Sequence, residues 1–221
     1  MDEQITNYLL ALLPEKDNWI VDLEEQAQKD RVPIMDSIGM DFIMQLIRMN
    51  KPSEILEIGT GIGYSALRML EASPESTITT IEKDEKRYNQ AKANLKKYDN
   101  RKKVTLVQGD ALSIMTNMAE HEGKFDCIFI DAAKGQYEKY FDLADSLLIN
   151  NGFIIADNVL FRGYVADYDF EHRRYKSIVN RLREYNKRVT NHSSYHTSIV
   201  PVGDGVAISF KSSERSHTNE K

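Results

Sequence analysis

This chain is poor in cysteine, proline and glycine, and it has no excess of positive charge. Cys127 is the single cysteine among 221 residues, so no internal disulfide can form. Its place inside an apolar run points to a buried, inert thiol in a reducing compartment. Five prolines and eleven glycines exclude a collagenous or low-complexity chain. No apolar run approaches the roughly 18 residues that a membrane-spanning helix requires, so no membrane partner is expected. The stretch MDEQITNYLLALLPEKD has neither a basic leader nor a small-residue cleavage site, and a cytoplasmic location is the expectation. A net charge of -5 and a pI near 5.6 give no global attraction for nucleic acid, leaving that task to any local basic patch.

What is present is an ordinary globular composition, 41% hydrophobic and 29% charged. At about 100 to 200 residues per domain, one domain over residues 1–211 is expected, with an unanchored tail, SSERSHTNEK, over 212–221. The first 50 residues read as helices: Ile5, Leu9, Leu12 and Leu13 recur at helical spacing, as do Ile38, Phe42, Leu46 and Met49, with Pro14, Pro33 and Pro52 as separators. Met40 and Met44 belong to the third helix as core or subunit contacts.

From Lys51 the pattern becomes short β runs alternating with amphipathic helices. EILEI (54–58), TITTIE (77–82), VTLVQ (104–108), FDCIFI (125–130) and GFIIAD (152–157) are the strands, and helices start near Tyr64, Asp84, Ala111 and Tyr137. Such alternation implies βαβ units and a parallel sheet covered on both faces. A longer helix is expected over about 169–188. TSIVPV and GVAISF then pair as a hairpin, giving one antiparallel strand.

LEIGTGIGYS (56–65) places Gly59, Gly61 and Gly63 between the first strand and a helix, where open α/β sheets bind ligands. Tyr64 stands where a dinucleotide fingerprint would need glycine. Alone, the glycines could form only a tight turn. Glu57 before them, Glu82 at the second strand end and QGDA at the third together resemble the Rossmann-like S-adenosylmethionine-dependent methyltransferases. That resemblance implies a mainly parallel seven-stranded sheet with one antiparallel strand plus N-terminal helices. It also implies cofactor contacts from Met35, Glu57, Gly59, Gly61, Tyr64, Ser65, Glu82, Asp110, Ala111 and Asp131.

Asp131 ends the fourth strand, and Asp157 with Asn158 ends the fifth. Two carboxylates and an amide are hard oxygen donors that suit Mg²⁺ rather than Zn²⁺. Singly, each is equally a helix cap or a turn residue. With Lys134 in D-A-A-K, the set resembles the cation-dependent O-methyltransferases, the group that includes catechol and caffeoyl-coenzyme A methyltransferases. The resemblance spans roughly residues 30–210. It implies that Asp131, Asp157 and Asn158 bind Mg²⁺ or another divalent cation such as Mn²⁺, that Lys134 is the general base, and that the enzyme is a homodimer. A dication would stabilise an acceptor oxyanion, so the acceptor should be an acidic hydroxyl.

Ala132 and Ala133 precede the lysine, and Trp19 lies outside RVPIMD (31–36); neither supplies an aromatic clamp for a catechol ring. From His172 to His192 there are seven Lys or Arg and one acid, with Tyr175 and Tyr185 interleaved. Such a run is either a solvated helix face or a surface for phosphates and stacked bases. VLFRGYVAD followed by RRYK resembles the bacterial tRNA 5-hydroxyuridine methyltransferases. The resemblance implies a tRNA anticodon loop as partner, with Arg162, Arg173 and Arg174 as the contacts.

Overall fold

In the computed structural model, which describes residues 3–120, 125–170 and 172–212, the N-terminal segment divides into three helices, two with left-handed C-caps. The helix α1 (Glu3–Leu12) has no buried residue. The second, α2 (Asn18–Asp30), stops at Arg31, whose φ of 54° turns the chain left-handed. The side chain of Asp36 accepts from the N–H groups of Ile38 and Gly39 at 3.1 and 3.0 Å and so starts α3 (Ser37–Asn50). The buried face of α3 is Gly39, Met40, Ile43, Met44 and Ile47. That corrects the expected face. Ile38, Phe42 and Leu46 are half-buried and Met49 is 71% exposed, because α3 carries two apolar stripes and only the methionine stripe enters the core.

The described residues form two compact units, Met1–Ile114 and Met115–Lys221. The first continues with β1 (Glu54–Ile58), α4 (Tyr64–Ala72), β2 (Thr77–Glu82), α5 (Glu85–Tyr98) and β3 (Val104–Gln108). The helix α6 (Ala111–Glu120) follows. The second holds β4 (Phe125–Ile130), α7 (Tyr137–Leu147), β5 (Leu148–Ala156), α8 (Lys176–Thr190), β6 (Tyr195–Val200) and β7 (Val206–Lys211). The strands make one seven-stranded sheet in the order β3-β2-β1-β4-β5-β7-β6. Pairs β1–β2, β2–β3 and β4–β5 are parallel, and β7 runs antiparallel to both β5 and β6. The expected α/β architecture with a single reversed strand is therefore present.

Several boundaries differ from the sequence reading: the hairpin runs TSIVPV and GVAISF are the strands Tyr195–Val200 and Val206–Lys211, and two further differences are larger. The fifth strand begins at Leu148 rather than Gly152. Its register slips: Phe125 faces Leu148, yet Cys127 faces Phe153. Asn151 at φ 64° makes the bulge, and Gly152 leaves room for the Asp126 carbonyl, which a Cβ would meet at 2.9 Å. The expected helix over 169–188 is α8 at Lys176–Thr190. Its inward residues Val179, Leu182, Tyr185 and Val189 are fully buried at helical spacing. Upstream, ring stacking replaces helix: Tyr164 lies over Phe170 at 4.5 Å and His172 over Tyr175 at 4.7 Å. Of the expected tail, residues 213–221 lie outside the described residues.

Candidate active site

In the first unit, the carboxyl end of β1 leads into the glycine turn. Gly59, Gly61 and Gly63 have φ of 102°, 58° and 87°, values that side-chain-bearing residues rarely adopt. The end of β2 holds this turn. The N–H groups of Gly59 and Thr60 donate to the Ile81 carbonyl at 3.0 and 3.3 Å. The Gly61 N–H donates to Glu82 Oε2 at 2.9 Å, and Glu82 Oε1 accepts from the Asp84 N–H at 2.8 Å. Glu82 is therefore not the cap of α5; Asp84 is, accepting from the Arg87 N–H at 2.9 Å.

Beneath the turn, Glu57 is fully buried and accepts from the hydroxyls of Ser65 and Thr80. Tyr64, also buried, donates its phenolic hydrogen to Glu24 Oε1 at 2.8 Å. Burial, and then the Glu24 hydrogen bond, push that phenol well above its ordinary pKa. Lys16 donates to Glu24 and to Ser37 Oγ, each at 2.8 Å, so α2 and the start of α3 are tied to the helix that follows the glycine turn. Val32 of RVPIMD stands 3.8 Å from where a Gly61 Cβ would be, and Met35 is buried. Asp110 accepts from the Ser113 N–H and pairs with Lys83 at 2.9 Å, and the Lys83 ammonium holds its carboxyl below the usual range. Ala111 opens α6.

In the second unit, Ile130 faces Ala156 across β4 and β5, and the Asp157 N–H donates to the Ile130 carbonyl at 3.0 Å. Asp131 and Asp157 thus follow adjacent strand ends. The short 3₁₀ turn Lys134–Gln136 is capped by Ala133 and α7 by Gln136, so Asp131 caps neither. The Asn158 N–H donates to Asp157 Oδ1 at 2.6 Å, with Asn158 itself at φ 55°. Lys134 Nζ donates to Asn158 Oδ1 at 2.7 Å and lies 6.0 Å from the Phe161 ring centroid. The Tyr137 hydroxyl donates to the Asp157 carbonyl at 2.9 Å. Burial first, then the charges of Asp131 and Asp157, drive the Tyr137 phenol far from ionisation. One phenol therefore feels both carboxylates.

The donor set suits a hard divalent cation: two carboxylates and an amide oxygen, with no thiolate or imidazole. Among the described residues no group of three or more His, Cys, Asp or Glu is placed to hold a metal, so a cation at this strand end would need the Asn158 amide oxygen beside the two carboxylates.

The basic segment is reorganised relative to its sequence pattern. Arg162, Arg173 and Arg174 are exposed, and the Arg174 guanidinium lies 5.4 Å from the Tyr175 ring. Arg181 donates to the Gly135 carbonyl at 2.9 Å, Arg183 to the Val165 carbonyl at 3.0 Å, and Arg188 pairs with Asp142. Tyr185 is fully buried against Tyr137 and Phe141, which removes it from any stacking surface. Sequence reasoning passed over Tyr137, Glu24 and Thr80. Only Tyr137 had a local signal, its place one turn beyond Lys134.

The O-methyltransferase family model matches residues 14–212. The chain belongs to that family. The methyltransferase is 38% identical to a candidate caffeoyl-CoA O-methyltransferase from Staphylococcus aureus, with a TM-score of 0.87 over 95% of this chain and 100% of that one. It is 31% identical to the catechol O-methyltransferase of Niastella koreensis, over 94% of this chain and 96% of the relative. An O-methyltransferase from Bacillus cereus, solved with S-adenosylhomocysteine (SAH), is 25% identical over 94% of this chain and 97% of that one, with a TM-score of 0.82. The methyltransferase is accordingly an S-adenosylmethionine-dependent O-methyltransferase of the caffeoyl-CoA and catechol type.

Proposed function

We propose that the methyltransferase acts, with a divalent cation, on the 5-hydroxyl of uridine at the wobble position of a tRNA anticodon loop, producing 5-methoxyuridine. The observation that carries this reading is the exposed Arg173–Arg174 pair beside the stacked rings of Tyr164, Phe170, His172 and Tyr175, on the segment that leaves Asn158. Guanidinium groups neutralise phosphates and aromatic faces stack bases, which is how single-stranded loops are held. A 5-hydroxyuracil is enol-like, and an anticodon base is already unpaired, so little duplex opening is needed. Mg²⁺ or Mn²⁺ held by Asp131, Asp157 and Asn158 would supply Lewis-acid stabilisation of the acceptor oxygen.

The chain's own groups then do the following. The buried Asp157 and the left-handed Asn158 fix the strand end on which Lys134 is anchored. Lys134, in its neutral form, takes the proton from the acceptor hydroxyl. The glycine turn and Glu82 hold the cofactor. A bond forms between the acceptor oxygen and the sulfonium methyl carbon as the sulfur–carbon bond breaks, leaving SAH. In this reading the RNA substrate and the lone thiol support a cytoplasmic enzyme. The exposed Ile5, Tyr8, Leu10 and Leu12 of α1 support pairing of two copies.

A second reading keeps the chemistry with a small phenolic acceptor, and the names of the catechol and caffeoyl-CoA relatives favour it. The test is methylation of tRNA containing 5-hydroxyuridine against methylation of catechol, each with and without EDTA, read by nucleoside or product mass spectrometry. Turnover on catechol alone would sink the tRNA assignment. Full turnover in EDTA, or by Asp131→Ala, would sink the cation.

A further inference from the structure

Thr80 is fully buried in β2, where valine or isoleucine would ordinarily serve. A buried hydroxyl costs stability unless it is hydrogen-bonded, and this one has two partners. It donates to Glu57 Oε2 at 2.5 Å and lies 2.6 Å from Thr60 Oγ1. A hydroxyl has one proton to give, and here it points at a Glu57 oxygen. The Thr80 proton therefore belongs to Glu57, and Thr60 donates to Thr80.

Thr60 is itself buried and sits within the glycine turn, between Gly59 and Gly61. The direction of the chain is thus Thr60 to Thr80 to Glu57. One side chain links the only non-glycine residue between the first two turn glycines to the buried carboxylate at the end of β1. Ser65, at the start of α4, donates to the same carboxylate. The backbone of the turn is separately fixed by Ile81 and Glu82. The loop that must receive the cofactor is in this way set by consecutive residues of one strand end, Thr80, Ile81 and Glu82.

We propose that Thr80 is a positioning residue for S-adenosylmethionine. Its hydroxyl locks Thr60 and Glu57 together, and so pre-forms the backbone surface that the cofactor meets. Valine has nearly the same shape without the hydroxyl, and serine has the hydroxyl without the methyl. The test is calorimetric titration of SAH into the full-length protein and into Thr80→Val, Thr80→Ser, Thr60→Val and the Thr60→Val/Thr80→Val double variant.

Thr80→Val should weaken SAH roughly ten-fold at unchanged stoichiometry, the scale of one lost hydrogen bond to a charged group. Thr80→Ser should bind within about three-fold of the parent, a difference smaller than one ordinary hydrogen bond. The double variant should bind no more weakly than Thr80→Val, because the two residues act as a unit. A merely structural role would lower the stoichiometry or the melting temperature and leave the dissociation constant alone. The proposal is overturned if Thr80→Val binds as the parent does, if only stoichiometry falls, or if serine and valine weaken binding equally. Should Thr80→Val fail to fold, parent-like binding by Thr60→Val overturns it instead.

Discussion

Replacing Gly205 with alanine tests how tightly the hairpin holds the strand end that carries Asp157 and Asn158. Gly205 has a φ of 88°, and an added Cβ would stand 2.3 Å from Leu160 Cγ and 2.6 Å from Leu160 Cβ. Those are not the far atoms of a flexible chain, so the backbone must move. The Gly205 carbonyl accepts from the Val159 N–H at 2.9 Å, and Val159 adjoins Asn158. Two effects add. Left-handed backbone costs a residue with a Cβ about 1–2 kcal/mol. Overpacking costs about 1–3 kcal/mol more.

Gly163 isolates the first effect, because its φ is 77° and, among the described residues, nothing lies within 4 Å of its would-be Cβ. Thermal unfolding of Gly163→Ala should therefore show a loss of about 1–2 kcal/mol, and Gly205→Ala should exceed it by about 1–3 kcal/mol. At roughly 2–4 °C per kcal/mol for a chain of this size, the extra shift is about 2–12 °C. Adding Leu160→Ala removes Cγ but keeps Cβ, so recovery should be partial. Equal melting temperatures for the two alanine variants would refute the packing argument. Equal turnover would refute the link from the hairpin to Asn158.

Four phenols, those of Tyr64, Tyr137, Tyr185 and Tyr195, are pushed above the ordinary tyrosine range, burial being the first cause in each. Above about pH 10 the unfolded chain binds fewer protons at these sites than the folded one, so stability falls as pH rises. Ultraviolet titration should show these four of the eleven tyrosines ionising only with alkaline unfolding, and early ionisation of all eleven would contradict the burial. The Tyr185 hydroxyl is buried with no hydrogen-bond partner among the described residues, so Tyr185→Phe should leave the melting temperature unchanged or raise it. A clear drop would mean that the hydroxyl has a bridging water. Arg173→Glu with Arg174→Glu should raise KM for tRNA at least ten-fold, on the order of 0.7 kcal/mol per reversed contact, and spare turnover of a small phenol. Equal loss on both substrates would indicate misfolding.

The first five strands were legible because each is a short run closed by an acid or a glycine, and the candidate-site acids sit at those closures. Asp131, Asp157 and Glu82 needed no tertiary information to be picked out. What the sequence hid was hidden by local conflicts. The bulge at Asn151 and Gly152 made β5 look as if it began late. Stacking among Tyr164, Phe170, His172 and Tyr175 replaced helix with turn ahead of α8, a choice made by ring contacts that no apolar periodicity reports. In α3, two apolar stripes competed, and the burial of Met40 and Met44 decided between them. Tyr185 could have been placed inward from its spacing with Val179, Leu182 and Val189, had the charges around it not drawn the reading outward. Thr60, Thr80 and Glu24 act through partners 20 to 40 residues away in sequence, which no short motif records.

The ion pair made by Arg188 changes how binding of a polyanion responds to ionic strength. If all seven basic residues between His172 and His192 met phosphates, counterion release from single-stranded RNA would give a log–log salt slope near -5, at about -0.7 per contact. Arg181 and Arg183 bond only to neutral carbonyls and keep their charge, whereas Arg188 is ion-paired with Asp142, so six charges remain and the slope falls to about -4. Association through this segment would then be somewhat less salt-sensitive than the raw charge count suggests.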